Sequence, residues 1–304
     1  MSHAFHAMGT DVTVDVPHVG DAREREHAVR VAMLFAETER RTSRFDPGSE
    51  LSRLNRADGP MRVSPALFDV LLRARAHHDA TRGLFDPGVG AALRRLGYDR
   101  SFSPGVLDRA TDAQGPARRA TMRDLALELA TRTVERAPGL ELDLGGIVKG
   151  LTVDRAAALL PPVAALDAGG DAMLRGAGPD GRGWLVDVED PADCERVLLT
   201  LRVAERAVAT SGTNRRRWTV GGESRHHLVD PRTGRPAESD LAQVTVVTSS
   251  AERAEVLAKA VLVAGARDGR ALLAARGDVA AVLVGVRGEV ELVGALELAE
   301  DRVA

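Results

Sequence analysis

The sequence predicts an α+β fold, in which mixed or antiparallel sheets and flanking helices form one compact unit. Long amphipathic helices and short, hairpin-connected strands occur together along the 304 residues, and the strands do not alternate regularly with the helices. The chain is 44% hydrophobic, which is enough to fill a substantial core. Because no stretch between elements is long enough to act as a linker, residues 1–304 are predicted to form a single domain.

The first part of the chain is predicted to be mainly helical. Alternation of apolar and polar residues predicts a strand over Asp11–Val16, and apolar residues at helical spacing predict a helix over Asp21–Thr42. The pair Ser49–Glu50 predicts the start of a short helix, and Ser64–Thr81 a second long one. Residues 100–121 are rich in Pro, Asp and Arg and are expected to form a mobile excursion.

The second part of the chain is richer in strand patterns. Strands or short segments are predicted at Leu125–Val134, Glu141–Leu144, Ala164–Asp167, GWLVDVED, VLLTLRV, AVATS and Val244–Thr248. Helices are predicted over Lys149–Leu160 and in SAERAEVLAKAVLVAG, residues 250–265. A last hairpin, Asp278–Val286 with Glu289–Val293, is expected to turn at Arg287–Gly288.

Charge and composition exclude several classes of function. A formal net charge of −3 and an aromatic content of 3% argue against a nucleic-acid partner. The single cysteine, Cys194, excludes an intrachain disulfide and a thiolate zinc cluster. There is no secretory signal pattern and no run approaching 18 apolar residues, so we expect a cytoplasmic protein without a membrane anchor.

The segment DLGGIVKG, residues 143–150, is the strongest candidate for chemistry. A Gly-Gly pair between a strand and a helix lets backbone N–H groups approach a ligand, and the helix N-terminus adds partial positive charge. Lys149 supplies a compact cation at the same place. The segment therefore fits either a phosphate or diphosphate site or an ordinary strand–turn–helix junction.

Four further motifs combine Asp, His and turn residues. In DAGGDAMLRG, Asp167 and Asp171 flank a second Gly-Gly turn and could form the turn or recognise a hydroxyl or ribose. In HHLVDPRTGRP, His227 precedes a turn and could be a general base, a phosphate contact or neither. The other two, SRFDPGSELSRLN and GLFDPGVG, each place Phe-Asp-Pro before a glycine turn.

Taken in order, these motifs resemble the ApbE family, the FAD:protein FMN transferases. The resemblance rests on MGT near the start, SRFDPGSELSRLN, GLFDPGVG, DLGGIVKGLTVD, AGGD, AVATSG, HHLVDPRTGRP and VTVVTSSAERAEVLAKAVLVAG. It runs from residue 8 to about residue 265 and implies an ApbE-like flavin transferase fold. It also implies FAD as the ligand and transfer of FMN to a Ser or Thr hydroxyl of an acceptor flavoprotein, with release of AMP and with Mg²⁺ on the diphosphate.

The resemblance also implies roles for individual residues. His227, Glu255 and Lys259 occupy catalytic positions, and Gly146 and Glu255 occupy positions near the metal. Residues at FAD-binding positions are Met8, Phe45, Asp86, Pro87, Gly88, Asp143, Lys149, Asp171, Leu228 and Val229.

The chain departs from the family pattern on the helix of residues 250–265. The family has an Asp and a Thr there as metal ligands, whereas this chain has Glu255 and Lys259. Two smaller departures are Asp167 in place of Asn and Thr213 in place of an acidic residue. An ammonium cannot ligate a cation, and only two of the 41 basic residues are lysine, Lys149 and Lys259. We therefore hypothesise that Lys259 occupies the region of the metal ion and contacts the FAD diphosphate.

The sequence is also compatible with other roles for these residues and for the chain. Glu255 and Lys259 also fit an exposed i,i+4 ion pair, although they fall at the border of the apolar stripe of their helix. The chain could be an active transferase, with Mg²⁺ displaced toward Glu255 or without metal. It could also be a FAD-binding relative that has lost transfer, serving as a flavin carrier or partner, or a hydrolase that splits FAD into FMN and AMP.

Overall fold

The computed structural model describes residues 2–101 and 120–299. Contacts within the chain define two compact units, each built from separate segments. The first unit comprises Met1–Ala36, Lys149–Asn214 and Ser239–Ala304, and the second comprises Glu37–Val148 and Arg215–Glu238. The single-domain organisation stays a prediction. Residues 102–119 of the predicted excursion lie outside the described residues.

Helices and strands follow one another along the described residues as follows. The helices are α1 (Asp21–Thr42), α2 (Glu50–Arg56), α3 (Pro65–Ala80), α4 (Gly90–Arg95), α5 (Val148–Ala157) and α6 (Ala251–Ala274). The strands are β1 (His3–Ala7), β2 (Thr10–Asp15), β3 (Met61–Arg62), β4 (Leu125–Glu128), β5 (Thr133–Arg136), β6 (Ala164–Ala168), β7 (Asp171–Arg175), β8 (Trp184–Glu189), β9 (Val197–Val203), β10 (Arg206–Gly212), β11 (Arg217–Val220), β12 (Glu223–His226), β13 (Val229–Asp230), β14 (Arg235–Pro236), β15 (Leu241–Thr248), β16 (Ala280–Gly285), β17 (Val290–Val293) and β18 (Glu297–Leu298).

The first unit is built on an eight-stranded antiparallel sheet in the order β1-β2-β6-β7-β10-β15-β16-β17. On one side, apolar residues of α1 and α5 pack with those of β2 and β6 around the fully buried Phe35. A second core joins β7, β10, β15 and β16 to the small sheet of β8 and β9 through Trp184 and Leu201. The large sheet is thus covered on both faces, and α6 packs against β10 and β15.

A two-residue turn joins the first two strands of this sheet. Ala7 pairs with Thr10, so that Met8 and Gly9 form the loop, and both have positive φ, 52° and 68°. Two left-handed residues in a two-residue loop match a type I′ turn, whose twist suits an antiparallel hairpin.

Helices α5 and α6 begin in direct contact. A Cβ on Gly150 would lie 2.4 Å from the carbonyl oxygen of Ala251, so only glycine fits there. Asp154 of α5 accepts hydrogen bonds from the backbone N–H groups of Ala251 (2.7 Å) and Glu252 (2.9 Å), and Ser250 accepts one from the N–H of Arg253. The start of α6 is thereby capped and held against α5.

Helix α6 is interrupted at Gly265. Its φ of 81° and ψ of 173° are non-helical and favour glycine. The Asp240 carboxylate accepts a hydrogen bond of 2.8 Å from the N–H of Ala266, and this caps the segment after the break. The straight segment before the break carries Glu255 and Lys259.

The second unit combines α2, α3 and α4 with the three-stranded sheet β3-β5-β4 and two hairpins, β11–β12 and β13–β14. Ser49 and Ser64 cap α2 and α3 by accepting N–H groups three residues later. Aromatic and apolar residues around Tyr98 and Trp218 form a core that also includes Val229 and the half-buried Phe45.

The α+β fold predicted from the sequence is confirmed, and α1, α2 and α3 begin within a residue of the predicted positions. The hairpin of β16 and β17 is also confirmed. Strands or short segments are also found where Leu125–Val134 predicts them, as β4 and the start of β5 with a turn between them. At Glu141–Leu144 only a single bridge forms, at Glu141, and the Asn55 side-chain amide bonds both backbone groups of Leu142.

Across residues 2–101 and 120–299, none of the helices combines the length and the apolar character needed to cross a bilayer. The cytoplasmic location stays a prediction.

Candidate functional site

Four charged side chains meet in the first unit and are called the charge cluster below: Lys149, Asp171, Glu255 and Lys259. Lys149 is the second residue of α5, and Asp171 is the first residue of β7, directly after Gly169 and Gly170. Glu255 and Lys259 lie one turn apart on α6, which packs against β7 and β10. Three elements that are distant in sequence therefore build one cluster.

Each carboxylate of the charge cluster is engaged by charged or backbone donors. The Lys149 ammonium donates to the Asp171 carboxylate and lies 3.5 Å from Glu255 Oε1. The Lys259 ammonium donates to the same Oε1 atom at 3.0 Å. The other oxygen, Glu255 Oε2, accepts the backbone N–H of Gly150 at 2.8 Å. The close approach of α5 and α6 at Gly150 is what makes this last hydrogen bond possible.

The carboxylates lie deeper in the protein than the ammonium groups. The side chains of Glu255 and Asp171 are 0% and 3% exposed, whereas those of Lys149 and Lys259 are 13% and 19% exposed. The alternative of a solvent-exposed i,i+4 pair is therefore wrong for Glu255. A ligand approaching from solvent meets the lysines first.

Burial and pairing shift the two carboxyl groups in opposite directions. Burial raises the pKa of Asp171 to about 6, although the Lys149 ammonium opposes the shift and the Glu255 charge adds to it. Burial also acts to raise the pKa of Glu255, but Lys259, Lys149 and the N–H of Gly150 outweigh it and lower that pKa. Glu255 is therefore the ionised partner that both lysines share.

The residues around Glu255 do not fit a divalent cation. Glu255 Oε1 already faces two ammonium groups and Oε2 accepts the N–H of Gly150, so a metal ion would have to share the carboxylate with three donors. Two ammonium groups beside the carboxylate would also repel the ion. Within the described part of the chain, no three His, Cys, Asp or Glu side chains are grouped to hold a metal.

In the second unit, two of the predicted FAD-binding motifs adjoin. The backbone N–H of Asp143 donates to the carbonyl of Pro87 at 2.8 Å. Asp86 and Asp143 each accept the backbone N–H two residues later, from Gly88 and Gly145, at 2.7 Å. The motifs FDPG and DLGG thus fold as neighbouring turns.

The Asp86 carboxylate is buried and largely occupied by protein groups. It accepts N–H groups from Gly88 and from Met122 (3.0 Å), and its second oxygen lies 3.4 Å from His78 Nδ1. Burial raises the pKa of Asp86, while Gly88, His78 and Met122 oppose the shift. These contacts indicate that the side chain shapes the turn, so that the backbone of Pro87 and Gly88 is what the turn can present to a ligand.

Arg44 connects the Asp143 turn to the aromatic residues of the second unit. Its guanidinium donates to the Asp143 carboxylate and to the carbonyl of Tyr98 (2.7 Å). It lies over the rings of Phe45 and Tyr98, at 4.1 and 4.8 Å from the centroids. Trp218 continues the stack, with its ring centroid 5.4 Å from that of Tyr98. Phe45 is therefore fixed in orientation by a cation and a second ring.

The third predicted motif lies between β12 and β13. His227 is half-buried, whereas Leu228 and Val229 are buried. The carbonyl of Leu228 accepts the N–H of Ala237 at 2.9 Å, and Val229 joins the aromatic core that includes Phe45. Val229 and Phe45 thus belong to one core, and their roles in binding FAD stay a prediction.

Of the remaining predicted positions, Met8, Asp167 and Thr213 lie in the first unit and Gly146 lies in the second. Met8 occupies the left-handed turn between β1 and β2 and packs against the core around Phe35. Asp167 accepts the N–H of Gly170 at 3.1 Å, so that it forms the turn leading to Asp171. Thr213 donates its N–H to the carbonyl of Ala242. Gly146 lies in the turn before α5.

Sequence reasoning missed Arg44, Tyr98 and His78. Arg44 had a usable signal, since it stands inside the motif SRFDPG beside Phe45. Tyr98 and His78 had none, because a lone aromatic residue or histidine in a helical region is most often an ordinary core residue.

Comparison with known proteins identifies the family. A sequence model of the ApbE family matches residues 8–283, which is most of the chain. A relative from Vibrio cholerae, named FAD:protein FMN transferase, is 30% identical over 274 residues, covering 87% of this chain and 81% of that protein. One of the same name from Rhodobacter capsulatus is 32% identical and covers 88% of this chain, which spans about half (52%) of that longer protein.

Solved structures agree with the sequence comparison. The ApbE protein of Thermotoga maritima superposes with a TM-score of 0.83 at 25% identity, covering 96% of each chain. The flavin transferase ApbE of Vibrio cholerae superposes with a TM-score of 0.80 at 26% identity, covering 98% of this chain and 96% of that one. Sequence and fold lead to the same conclusion: this chain belongs to the ApbE family.

Proposed function

We propose that the chain transfers FMN from FAD to a Ser or Thr hydroxyl of an acceptor flavoprotein and releases AMP. The observation that carries the proposal is the match to the ApbE family over residues 8–283, together with relatives named FAD:protein FMN transferase. FAD is the proposed substrate.

The charge cluster is proposed to bind the diphosphate of FAD. Lys149 and Lys259 would donate to phosphate oxygens, since each ammonium carries three N–H donors. Asp171 and Glu255 would hold the two ammonium groups in place. The N-terminus of α5 adds partial positive charge next to Lys149.

Residues of the turns and of the aromatic stack are separately proposed to contact FAD. Phe45, Leu228 and Val229 lie in or beside one apolar core, and Met8 offers a second apolar contact. Pro87 and Gly88 would contribute backbone groups. Asp86 would act through the shape of its turn and Asp143 through a polar contact or through Arg44.

The transfer step needs a base and a neutralised leaving group. The acceptor hydroxyl oxygen attacks the phosphorus of the FMN half, and the bond from that phosphorus to the bridging diphosphate oxygen breaks. The bonding electron pair leaves with AMP, and His227 is proposed to accept the hydroxyl proton. Lys149 and Lys259 would offset the charge that develops on the leaving phosphate, which carries most of the catalysis in phosphoryl transfer.

A second candidate is a FAD-binding relative without transfer, or one that hydrolyses FAD to FMN and AMP. The observation that favours it is the ammonium of Lys259, bonded to Glu255 where the family resemblance implies a pair of metal ligands. In hydrolysis, water takes the place of the acceptor hydroxyl and the same phosphorus–oxygen bond breaks.

One incubation separates these functions. The full chain is mixed with FAD and with an acceptor flavoprotein modified by one of the relatives, and both AMP and the acceptor mass are measured. AMP with a gain of the FMN mass on the acceptor supports transfer. AMP without that gain indicates hydrolysis, and retained FAD without AMP indicates a carrier. A His227→Ala variant should lose AMP release by at least about 100-fold if His227 is the base.

A further inference from the structure

We propose that Lys259, next to Lys149, takes the place of a divalent cation in this chain, so that the charge cluster binds the FAD diphosphate through ammonium groups and takes up no metal ion. The proposal takes its ligand from the proposed function, and it concerns how that ligand is held. It assigns the charge that a bound metal would supply to the Lys259 side chain.

The positive and negative charges of the cluster already balance without a metal ion. Two ammonium groups face two carboxylates, and the shared carboxylate of Glu255 has both oxygens engaged. Mg²⁺ requires near-ideal octahedral oxygen coordination at about 2.0–2.1 Å. To ligate it, Glu255 would have to share its oxygens with Lys259 and the N–H of Gly150 while both ammonium groups repelled the ion.

The positive groups of the cluster lie nearer to solvent than the negative groups. The carboxylates are buried and the lysine side chains retain exposure, so the positive groups stand between the buried negative groups and an incoming anion. Lys259 gives one hydrogen bond to Glu255, which leaves donor capacity on an ammonium with three N–H groups. The arrangement therefore presents positive charge outward although its formal sum is zero.

The contact between α5 and α6 holds the cluster in a fixed arrangement. Gly150 admits the close contact of α5 and α6, and Asp154 caps the start of α6 beside it. Glu255 is thus held from both helices, and it fixes Lys259 one turn away on the same helix. Such fixed charges stabilise a phosphate without the reorganisation that flexible surface lysines require.

The test measures metal binding and FAD binding separately. The full chain is titrated with Mn²⁺, and free Mn²⁺ is followed by electron paramagnetic resonance. FAD affinity is measured by calorimetry in EDTA and in Mg²⁺. We expect no stoichiometric Mn²⁺ uptake by the protein alone, and FAD dissociation constants that agree within about twofold between the two conditions.

Variants on helix α6 test the role of Lys259. Lys259→Met should weaken FAD binding in EDTA roughly 10–100-fold, the loss typical of a charge-assisted hydrogen bond. Lys259→Arg keeps the charge and should stay within about tenfold of the parent chain. Arg253→Met is the matched control, because it removes the same charge from the same helix, where Arg253 pairs with Asp278 outside the cluster. It should leave FAD affinity unchanged, and circular dichroism checks that each variant is folded.

The outcomes are distinct. One Mn²⁺ bound per chain at micromolar affinity, or FAD binding that requires Mg²⁺, overturns the proposal. Equal losses of affinity in Lys259→Met and Arg253→Met overturn it too. If Lys259→Met does not fold, the comparison of EDTA with Mg²⁺ on the parent chain still decides. If FAD binds in neither condition, the proposed function fails, while the Mn²⁺ titration still determines whether the cluster accepts a cation.

Discussion

Carboxylate side chains do different work in the turns of the second unit and in the charge cluster of the first. In the second unit, four aspartates, called the Asp turns here, each accept a backbone N–H two residues later at 2.7–2.8 Å: Asp46, Asp86, Asp143 and Asp230. In the charge cluster of the first unit, Asp171 and Glu255 instead accept from ammonium groups, and Glu255 also accepts from the N–H of Gly150, 105 residues earlier. Each Asp turn shapes its own loop, and two of them also bind a distant group, Asp86 the N–H of Met122 and Asp143 the guanidinium of Arg44, whereas the charge cluster has no such local turn and joins three elements.

The two arrangements differ in the groups that a ligand can reach. A carboxylate in an Asp turn is partly satisfied by its own loop, so the turn presents backbone groups and its rigidity. The charge cluster keeps its carboxylates buried and presents cations. The charge cluster therefore suits a diphosphate, and the turns with the aromatic rings suit a planar ring system.

The largest expected effect comes from Glu255→Gln. Removing one partner of a buried ion pair costs about 3–5 kcal/mol, because the ammonium groups of Lys149 and Lys259 lose their shared counter-charge. We expect the free energy of unfolding to fall by that amount in urea titrations, and Tm to fall by roughly 6 °C or more.

Asp69→Asn is the matched control for this prediction. Asp69 and Arg73 form an i,i+4 pair on α3, like Glu255 and Lys259, but both side chains are more than 40% exposed. Such a pair contributes about 0.5 kcal/mol or less. Equal losses in the two variants would show that the buried position of Glu255 has no special energetic role.

The next effect tests the contact that builds the cluster. Gly150→Ala places a Cβ 2.4–2.7 Å from backbone atoms of Ala251 and Glu252, so that α5 and α6 must separate. Overpacking of this kind costs about 1–3 kcal/mol and should weaken the hydrogen bond from Gly150 to Glu255. Gly277→Ala is the control, because nothing lies within 4 Å of its added Cβ. Urea unfolding of both variants measures the difference, and a neutral Gly150→Ala would contradict the close contact.

A pH profile isolates Asp171. Burial raises the folded-state pKa of Asp171 to about 6 from an unfolded value of 3.8, so the folded state binds the proton more tightly. The contribution of this group to stability is therefore fully present below about pH 4 and is lost as the pH rises through 6, by about 3 kcal/mol in total. Between pH 4 and 7, the free energy of unfolding of the parent chain should therefore fall relative to that of Asp171→Asn, which has no carboxyl group at this position. If the difference between the two free energies stays constant over this range, Asp171 titrates at its ordinary value.

Sequence reasoning recovered the local features and missed the tertiary ones. Ser49 and Ser64 were predicted as helix starts because capping is set by neighbouring residues. The border position of Glu255 on α6 was predicted from helical periodicity, but its bond to Gly150 was not, since it depends on how α5 meets α6. Strand β7 was also missed. It has only five residues and begins directly after the Gly-Gly turn, so the whole segment was interpreted as a turn motif.

The same limit explains the Asp turns. Asp86 and Asp143 stand before glycine in motifs that favour both turns and ligand contacts, and the sequence does not distinguish the two. The structure shows that their carboxylates accept N–H groups of their own turns, and that His78 and Arg44 reach them from other segments. Such partners come from chain packing, which a single sequence does not specify.

The smallest predicted effect separates the turn from the ion pair within one residue. Asp143→Asn keeps an oxygen that can accept the N–H of Gly145 but removes the charge that faces Arg44, which retains the carbonyl of Tyr98 and two aromatic rings. We expect a loss of about 1 kcal/mol in urea unfolding. Asp46→Asn is the control, because Asp46 accepts the N–H of Gly48 in the same way at an exposed position, and it should cost only a few tenths of a kcal/mol. Arg44 orients Phe45, so Asp143→Asn should also weaken FAD binding a few-fold in calorimetry. If Asp143→Asn and Asp46→Asn lose the same unfolding free energy and the same FAD affinity, the carboxylate of Asp143 serves only its turn.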